Sequence, residues 1–578
     1  MITLKGIPVS PGICIAQIVC LGHDDLGVQP RKVSKAAVRE EIKRFELAVA
    51  EAAGDIDREI ERLGTGFQLP GLLESHRDMI RDRSLRDAVV GRIERERASA
   101  EYALTLVFRE YLEKFQQFGS KYLSERAHDL EEIERKILRK LLGRVEPRSI
   151  DVEGPVAIVA HSLSPAQTAS FDREKVRGFA IDVGGRTSHT AILARAIRIP
   201  AVVGLENVSR LATTGQSVVI DGYAGVVIID PEPAQLEYYR RQAQHAEAFE
   251  RELHEEVKWP AETLDGYSIS LAANIEFPHE IETALEWGAT GVGLYRTEFL
   301  YENGEPDEEA HLHGYRTAIE ALGGRELVIR TLDAGADKFH QESVGSIEPN
   351  PFLGCRSIRL CFQREDLFRA QLRAALRVSL EGPVKLMLPM VSSIEEIRKA
   401  REFIAKVEEE LVREGVPLRH RVPLGIMVEV PSIAMIANRA AKEVDFFSIG
   451  TNDLVQYCLA VDRTNERVAH LYQPAHPAIL QLIKRVIDAG AERGIPVSIC
   501  GEMCSEPIYT VLLLGLGLRR FSLSPVSIPT VKRVIRQLTM ANAYEVAAQC
   551  LASDSAEDTL AILEQRVRPL LPDFTKAL

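Results

Sequence analysis

The sequence lacks the features that mark membrane and secreted proteins. No stretch of its 578 residues approaches the roughly 18 consecutive apolar residues that a membrane-crossing helix needs. Its first residues, Met1 to Pro8, lack the charged start and apolar centre of a signal peptide. We therefore expect no membrane partner and a cytoplasmic location.

Paired cysteines and excess basic charge are also missing. The eight cysteines are scattered and form no Cys-x-x-Cys pair and no zinc-site spacing, as a reducing compartment would favour. Acidic residues outnumber basic ones by 84 to 71, for a formal net charge of −13. A chain of this charge is a poor partner for nucleic acid, although local basic pockets for a small anion remain allowed.

The pattern along the chain predicts an α/β multidomain protein. Short apolar segments over 1–25 and 145–230 predict one small α/β domain. Residues 26–144 predict an inserted helical bundle, since apolar residues recur there at steps of three and four. A polar helix over 233–257, within a linker assigned to 231–260, connects to a larger domain over 261–578.

The last region alternates strands with helical segments and predicts a (β/α)₈ barrel. Eight candidate strands recur over roughly 300 residues, the usual size of such a barrel with insertions. They are Ser268–Ala273, Gly291–Tyr295, Leu327–Thr331, Lys385–Pro389, Leu424–Glu429, Phe446–Gly450, Val497–Cys500 and Arg520–Ser524.

A histidine is predicted in the first turn of a helix in the small α/β domain. The run Gly184-Gly-Arg-Thr-Ser-His-Thr-Ala-Ile-Leu-Ala-Arg195 follows a strand and opens a helix, with His189 near its start. Free backbone N–H groups there favour an anion, and imidazole is a nucleophile at neutral pH. Such a histidine could accept a phosphoryl group, although it could also be a first-turn polar residue without a role.

Polar residues follow the predicted barrel strands at their carboxyl ends, where barrel active sites form. They are Arg296, Arg330, Glu429, Asn452, Asp453 and Cys500. Each alone has an ordinary explanation, as a surface ion pair, a solvated carboxylate or a buried thiol. Their joint occurrence on one face favours a site for an anionic ligand, with the two carboxylates available to Mg²⁺ and the thiol available as a general acid.

The histidine segment, followed by Ile199-Pro-Ala-Val-Val-Gly204, resembles the phosphohistidine motif of the phosphoenolpyruvate-utilising enzymes. The resemblance covers essentially the whole chain and is strongest for the Enzyme I group of the sugar phosphotransferase system. It implies that His189 carries the phosphoryl group on Nε2 and passes it to a histidine of the carrier protein HPr. Thr190, after the histidine, is the residue type usual in that group.

The same resemblance implies roles for the barrel residues. Phosphoenolpyruvate would be bound by Arg296, Arg330, Asn452, Asp453 and Arg463. Mg²⁺ would be held by Glu429 and Asp453, and Cys500 would protonate the product enolate. The segment 333–338 and Arg356 resemble further pocket segments of the family. The chain departs from the family after Cys-Gly-Glu-Met, where Cys504 and Ser505 replace the usual Ala-Gly.

The resemblance also implies partners for the other domains. The helical bundle would bind HPr through segments that include His76, Arg126 and Asp129, and the barrel would form a homodimer. Two alternatives stay open: an ATP-dependent phosphoenolpyruvate synthase or dikinase, disfavoured because no Gly-rich nucleotide loop is present, and a non-catalytic regulator that senses phosphoenolpyruvate. The sequence does not decide between HPr and a nitrogen-branch paralogue as the carrier, although the lack of a sensory domain before residue 1 mildly favours HPr.

Overall fold

The structure is a computed structural model in which most of the chain is described. It describes residues 1–21, 31–63, 77, 79–117, 130, 133–143, 154–163, 175–185, 194, 199–301, 304–335, 350–418, 421–463, 465 and 467–570. None of the helices formed by these residues is both long and apolar enough to cross a membrane. The chain divides into two compact units after Ala246.

The first unit contains a mixed eight-stranded sheet with the order β1-β8-β7-β3-β4-β5-β6-β2. Strands β3 to β6 run parallel, and the other pairings are antiparallel. The strands are β1 Ile2–Lys5, β2 Ile7–Ser10, β3 Ile13–Leu21, β4 Val156–Ala160, β5 Val176–Ile181, β6 Ala201–Val203, β7 Ser217–Asp221 and β8 Val226–Ile229. The sheet therefore joins the two chain segments that flank the helical region, as the sequence predicts.

Apolar residues alternate between the two faces of this sheet. One face carries Ile158, Phe179 and Val203, and the other carries Val159 and Ala180 among their neighbours, each set within its own buried cluster. Because successive side chains of a strand point to opposite faces, both faces of the sheet are covered. The sequence pattern identified most of these strands but missed β8.

The helical region lies between β3 and β4 and has its own buried core. The helices of the first unit include α1 Val38–Leu63, α2 Arg83–Glu96, α3 Ala100–Gln117, α4 Val208–Leu211 and α5 Pro233–Glu256, the last at the division, and residues 133–141 are helical as well. Helix α3 begins directly after Ser99, and residues 97–99, between α2 and α3, are not helical. Helix α5 confirms the predicted polar helix, and the division of the chain falls within it.

The second unit contains a closed barrel of eight parallel strands, with β16 paired to β9. The strands are β9 Ser270–Ile275, β10 Val292–Tyr295, β11 Leu327–Arg330, β12 Val384–Leu388, β13 Leu424–Val428, β14 Phe446–Ile449, β15 Val497–Ile499 and β16 Arg520–Leu523. All eight predicted strands are confirmed, with bounds that shift by one or two residues. Buried strands of a parallel barrel read as apolar runs, which explains why the sequence identifies them.

Helices surround this barrel, and their buried apolar side chains pack with those of the strands in one core. They are α6 Glu280–Glu286, α7 Glu308–Leu322, α8 Ile358–Gln363, α9 Glu365–Val378, α10 Ile394–Arg413, α11 Pro431–Met435, α12 Ala437–Ala440, α13 Thr451–Leu459, α14 Pro477–Arg493, α15 Glu502–Ser505, α16 Pro507–Gly515, α17 Ile528–Arg536, α18 Met540–Leu551 and α19 Ala556–Val567. Inside the barrel, a separate apolar cluster includes Leu294, Val328, Met387, Met427 and Cys500.

Candidate active site

The carboxyl ends of the barrel strands bring the predicted polar residues to one face. Arg296 follows β10, Arg330 ends β11, and Glu429 follows β13. Asn452 and Asp453 lie in the first turn of α13, directly after β14, and Cys500 follows β15. Since all eight strands are parallel, these positions share one end of the barrel.

Arg330 is the most enclosed cation of this face. Its guanidinium contacts Glu298 Oε2 at 3.0 Å and Asp333 Oδ2 at 2.7 Å, and its side chain is only 10% exposed. Burial would lower the pKa of Arg330, but the neighbouring carboxylates, chiefly Asp333 and Glu298, raise it above its usual range. The guanidinium is therefore a permanent buried positive charge.

Asp333 joins a second buried arginine to this cluster. Its Oδ1 atom accepts a hydrogen bond from Arg356 Nη2 at 3.1 Å and another from the Ser357 hydroxyl. Burial would raise the pKa of the Asp333 carboxyl, but the Arg330 and Arg356 guanidinium groups hold it well below its usual range. Ser357 reaches this carboxylate from a left-handed backbone conformation with φ 55°, one of the strained conformations that concentrate at functional sites.

Three arginines of this face keep an unused donor. The Nε–H groups of Arg296, Arg330 and Arg356 are buried and have no hydrogen-bond partner among the described residues. An unsatisfied buried donor is costly, so such groups in native structures need an explanation. An anion bound between the arginines would supply acceptors for them.

Glu429 and Asp453 form the acidic part of the face. Glu429 is buried, and its Oε1 atom accepts a hydrogen bond from the Met390 N–H at 2.6 Å. Burial, followed by the charge of Asp453, raises the pKa of Glu429 well above its usual range. Burial, followed by the charge of Asp333, also raises the pKa of Asp453. Burial and the neighbouring carboxylates therefore disfavour the ionised form of both side chains.

Asn452 and Arg463 lie at the more exposed edge of the face. The Asn452 amide donates to Glu502 Oε1 at 3.2 Å and accepts from the Glu502 N–H at 2.8 Å. Arg463 Nη1 contacts the same Glu502 oxygen at 3.2 Å. Arg296, which is 39% exposed, contacts Glu276 at 3.3 Å in a comparable way. The carboxylates that these three side chains contact, Glu276 and Glu502, are exposed, so a ligand could displace them.

Cys500 is enclosed beneath this face. Its thiol contacts the Ile449 carbonyl at 3.6 Å, and its own carbonyl accepts a hydrogen bond from Asn274 at 3.0 Å. Burial raises the pKa of the Cys500 thiol to about 11. The thiol is therefore protonated at neutral pH and has a proton to give.

The comparisons with known proteins agree with one another over nearly the whole chain. Residues 5–126, 152–225 and 250–540 match families described respectively as the N-terminal, mobile and PEP-binding domains of PEP-utilising enzymes. Three curated relatives are named phosphoenolpyruvate-protein phosphotransferase. Those of Bacillus sp. (strain S) and Geobacillus stearothermophilus are each 41% identical over 97% of this chain and 98% of their own. That of Bacillus subtilis (strain 168) is 39% identical over 97% and 99%. The chain belongs to the phosphoenolpyruvate-protein phosphotransferase family.

Members of this family are enzymes that work with a divalent metal ion, and the barrel face has residues that fit one. Glu429 and Asp453 offer hard oxygen ligands, and burial together with neighbouring carboxylates raises the pKa of both, an effect that a bound cation would oppose. The described residues contain no cluster of three or more His, Cys, Asp or Glu that could hold a metal ion. Mg²⁺ needs none, because it takes one or two carboxylates together with substrate oxygens and water.

The predicted phosphoryl acceptor of the family, His189, lies outside the described residues, as do Arg186 and Thr190. The segment that leads to His189 is described as far as Gly185, and hydrogen bonds of Asp182 connect it to neighbouring residues. Asp182, directly after β5, contacts His161 Nδ1 at 3.0 Å and accepts a hydrogen bond from the Ser209 N–H at 3.0 Å. His76, Arg126, Asp129 and the segment 336–338 also lie outside the described residues.

The structure adds site residues that the sequence pattern did not single out. Glu298 pairs with Arg330, Ser357 holds Asp333, and Met390 offers its backbone N–H to Glu429. Glu298 had a sequence signal, because it follows the same strand end as Arg296. Met390 had none, since a backbone N–H donor is independent of residue type. Cys504, the departure from the family pattern, has its Sγ atom 2.9 Å from the Gly501 carbonyl and 3.1 Å from the Ser522 carbonyl, either of which can accept its single S–H.

Proposed function

We propose that this chain transfers the phosphoryl group of phosphoenolpyruvate to His189 and then to a histidine of HPr, releasing pyruvate. The observation that carries the proposal is the set of three buried arginine Nε–H donors that have no partner among the described residues, beside two buried carboxylates with raised pKa values. That combination suits a small, highly charged anion together with a divalent cation. The names of the relatives supply the reaction.

Substrate binding would use the arginines as a preorganised set of donors. We assign Arg296 and Arg330 to the phosphate and carboxylate of phosphoenolpyruvate, with Asn452, Asp453 and Arg463 completing the site. The ion pairs of Arg330 with Glu298 and Asp333 fix its guanidinium before substrate arrives. Donors that are already oriented stabilise developing charge without reorganisation during the reaction.

Mg²⁺ would be held by Glu429 and Asp453, where it would neutralise charge on the transferred phosphoryl group. The backbone N–H of Met390 fixes one oxygen of Glu429 and leaves the other available. Cys500 would give its proton to the enolate carbon once phosphorus has left. The protonated state of its thiol at neutral pH supports this role.

The parts of the chain would divide this work. We assign residues 1–25 and 145–230 to the phosphohistidine domain, 26–144 to HPr binding, 231–260 to the linker and 261–578 to substrate binding and homodimer formation. His189 would alternate between the barrel and the carrier, as mobile catalytic domains do. His76, Arg126 and Asp129 remain the proposed carrier contacts. A cytoplasmic location is proposed because all eight thiols are unpaired.

Labelling with ³²P-phosphoenolpyruvate and Mg²⁺ tests this function. We expect acid-labile, base-stable label on the wild-type chain without ATP, and its transfer to added HPr. The label should be absent from His189→Ala and retained by His245→Ala, which removes an exposed histidine of α5. Labelling that requires ATP would favour the synthase or dikinase alternative, and binding without any labelling would favour the regulator.

A further inference from the structure

A buried amide on an outer helix reaches the backbone of the substrate-binding face. Gln371, on α9, is fully buried, and its Oε1 atom accepts a hydrogen bond from the Leu332 N–H at 2.9 Å. Its Nε2 atom donates to Thr297 Oγ1 and to the Tyr315 hydroxyl, both at 3.1 Å. The Leu332 N–H fixes which end of the amide accepts, so both N–H donors of Gln371 are in use.

Tyr315 and His311, both on α7, and Tyr301, which precedes that helix, extend this network. The Tyr315 hydroxyl lies 3.2 Å from His311 Nδ1, and the Tyr301 hydroxyl lies 3.3 Å from His311 Nε2. Burial lowers the pKa of His311 to about 4, so the ring is neutral and has one donor and one acceptor. Because Tyr315 accepts from Gln371, its own proton points to Nδ1, and Nε2–H then donates to Tyr301.

Both ends of the network meet the segments that carry the arginines. Thr297 directly follows Arg296, and its hydroxyl donates to the Arg330 carbonyl at 3.1 Å. The 3₁₀ turn Glu298–Tyr301 directly follows Thr297, and its last residue, Tyr301, contacts His311. This turn carries Glu298, which pairs with Arg330 and accepts from the Asp333 N–H at 3.1 Å.

We propose that Gln371 is a positioning residue that sets the distance and orientation between Arg296 and Arg330 for substrate binding. The proposal rests on the assignment of these two arginines to phosphoenolpyruvate. Gln371 touches neither guanidinium. It acts on the backbone that follows Arg330, directly at the Leu332 N–H and through Thr297 at the Arg330 carbonyl, and Thr297 also directly follows Arg296. Tyr315 and His311 orient its amide, so they belong to the same positioning unit.

The geometry explains why such a unit would affect binding more than folding. Two guanidinium groups must meet one small anion, and both can donate to it only when their spacing and orientation match its carboxylate and phosphate. Side chains that hold binding groups in place commonly act through buried hydrogen bonds of this kind. Loss of the network would leave the arginines present but less accurately spaced, which raises KM for phosphoenolpyruvate.

A matched pair of tyrosine variants tests the proposal in the full chain. Tyr315→Phe removes a hydroxyl of the network. Tyr295→Phe makes the same change in a neighbouring buried ring, 6.1 Å away between centroids, whose hydroxyl has no hydrogen-bond partner among the described residues. We expect Tyr315→Phe to raise KM for phosphoenolpyruvate about fivefold, the effect of roughly one hydrogen bond, with kcat close to that of Tyr295→Phe.

Gln371→Met removes the centre of the unit and should raise KM by about tenfold or more, again with a smaller change in kcat. Equal KM values for Tyr315→Phe and Tyr295→Phe would overturn the proposal, whether or not Gln371→Met folds. Arg296→Gln separates this failure from failure of the proposed site. If Arg296→Gln raises KM strongly while Tyr315→Phe does not, the site stands and the positioning role is wrong. If Arg296→Gln leaves KM unchanged, the substrate assignment itself is wrong and the positioning proposal falls with it.

Discussion

Replacing Asp333 with asparagine should destabilise the barrel unit strongly, although the two side chains have the same shape. The carboxylate compensates Arg330 and Arg356, whose side chains are 10% and 12% exposed. Asp333→Asn leaves Arg356 without its ion-pair partner among the described residues and leaves Arg330 paired with Glu298 alone. Breaking a buried ion pair from one side costs about 3 to 5 kcal/mol, so we expect a loss of that order in the free energy of unfolding of this unit.

The pH dependence of the free energy of unfolding gives a second test of the Asp333 charge. The folded chain holds the pKa of Asp333 below its unfolded value of about 4. Its ionised form therefore adds stability above that pH, and the contribution is lost as the pH falls towards the folded pKa. The difference in free energy of unfolding between wild type and Asp333→Asn should thus be largest at neutral pH and shrink in acid.

Denaturant unfolding of the full chain, followed over pH, measures both effects. Asp488→Asn is a matched control, because Asp488 pairs with Lys484 on the surface of α14, where such pairs contribute only about 0 to 1 kcal/mol. The reasoning would be refuted if Asp333→Asn cost no more than Asp488→Asn at neutral pH. A difference that does not shrink in acid would refute the assigned charge state.

Three substitutions test the chemistry of the proposed site. Cys500→Ser should lower the rate of pyruvate formation about a hundredfold or more with KM for phosphoenolpyruvate nearly unchanged; an equal loss in Cys458→Ser would contradict a proton-donor role. Glu429→Gln should raise the Mg²⁺ concentration needed for half-maximal activity by at least about tenfold, and an unchanged Mg²⁺ requirement would exclude it as a ligand. A Cβ atom at Gly450 would lie 2.8 Å from Glu429 Oε2, so Gly450→Ala should lower activity and raise the Mg²⁺ requirement. Gly54→Ala, whose nearest contact would be 3.7 Å away, should change neither, and equal effects of the two would refute the argument.

The barrel and its polar face could be predicted from the sequence because two local signals coincide. The strands are buried on both faces and read as apolar runs, and polar residues such as Arg330 and Glu429 follow them directly. Closure of the barrel then places these residues together without any further information. Strand bounds moved by one or two residues because the end of a strand depends on pairing with its neighbours.

The contacts within the face could not be predicted in the same way. Whether Arg330 pairs with substrate alone or also with Glu298 and Asp333 depends on side-chain geometry. Gln371 lies in an amphipathic helix, where an amide is unremarkable in sequence and only the fold shows that it meets Leu332 and Thr297. Strand β8 was missed because Val226–Ile229 is short and closely follows β7.

The most direct test of the central claim is a single-turnover experiment that measures pyruvate and maps the phosphoryl group. Excess chain is mixed with phosphoenolpyruvate and Mg²⁺ without ATP or carrier. The chain is then digested, and the phosphopeptide is identified at basic pH, where phosphohistidine is stable. The proposed function predicts pyruvate equal to the phosphoryl groups bound, all of them on the peptide that contains His189. Pyruvate formed with no phosphoryl group on His189, or a phosphoryl group on another residue in the wild-type chain, would contradict it.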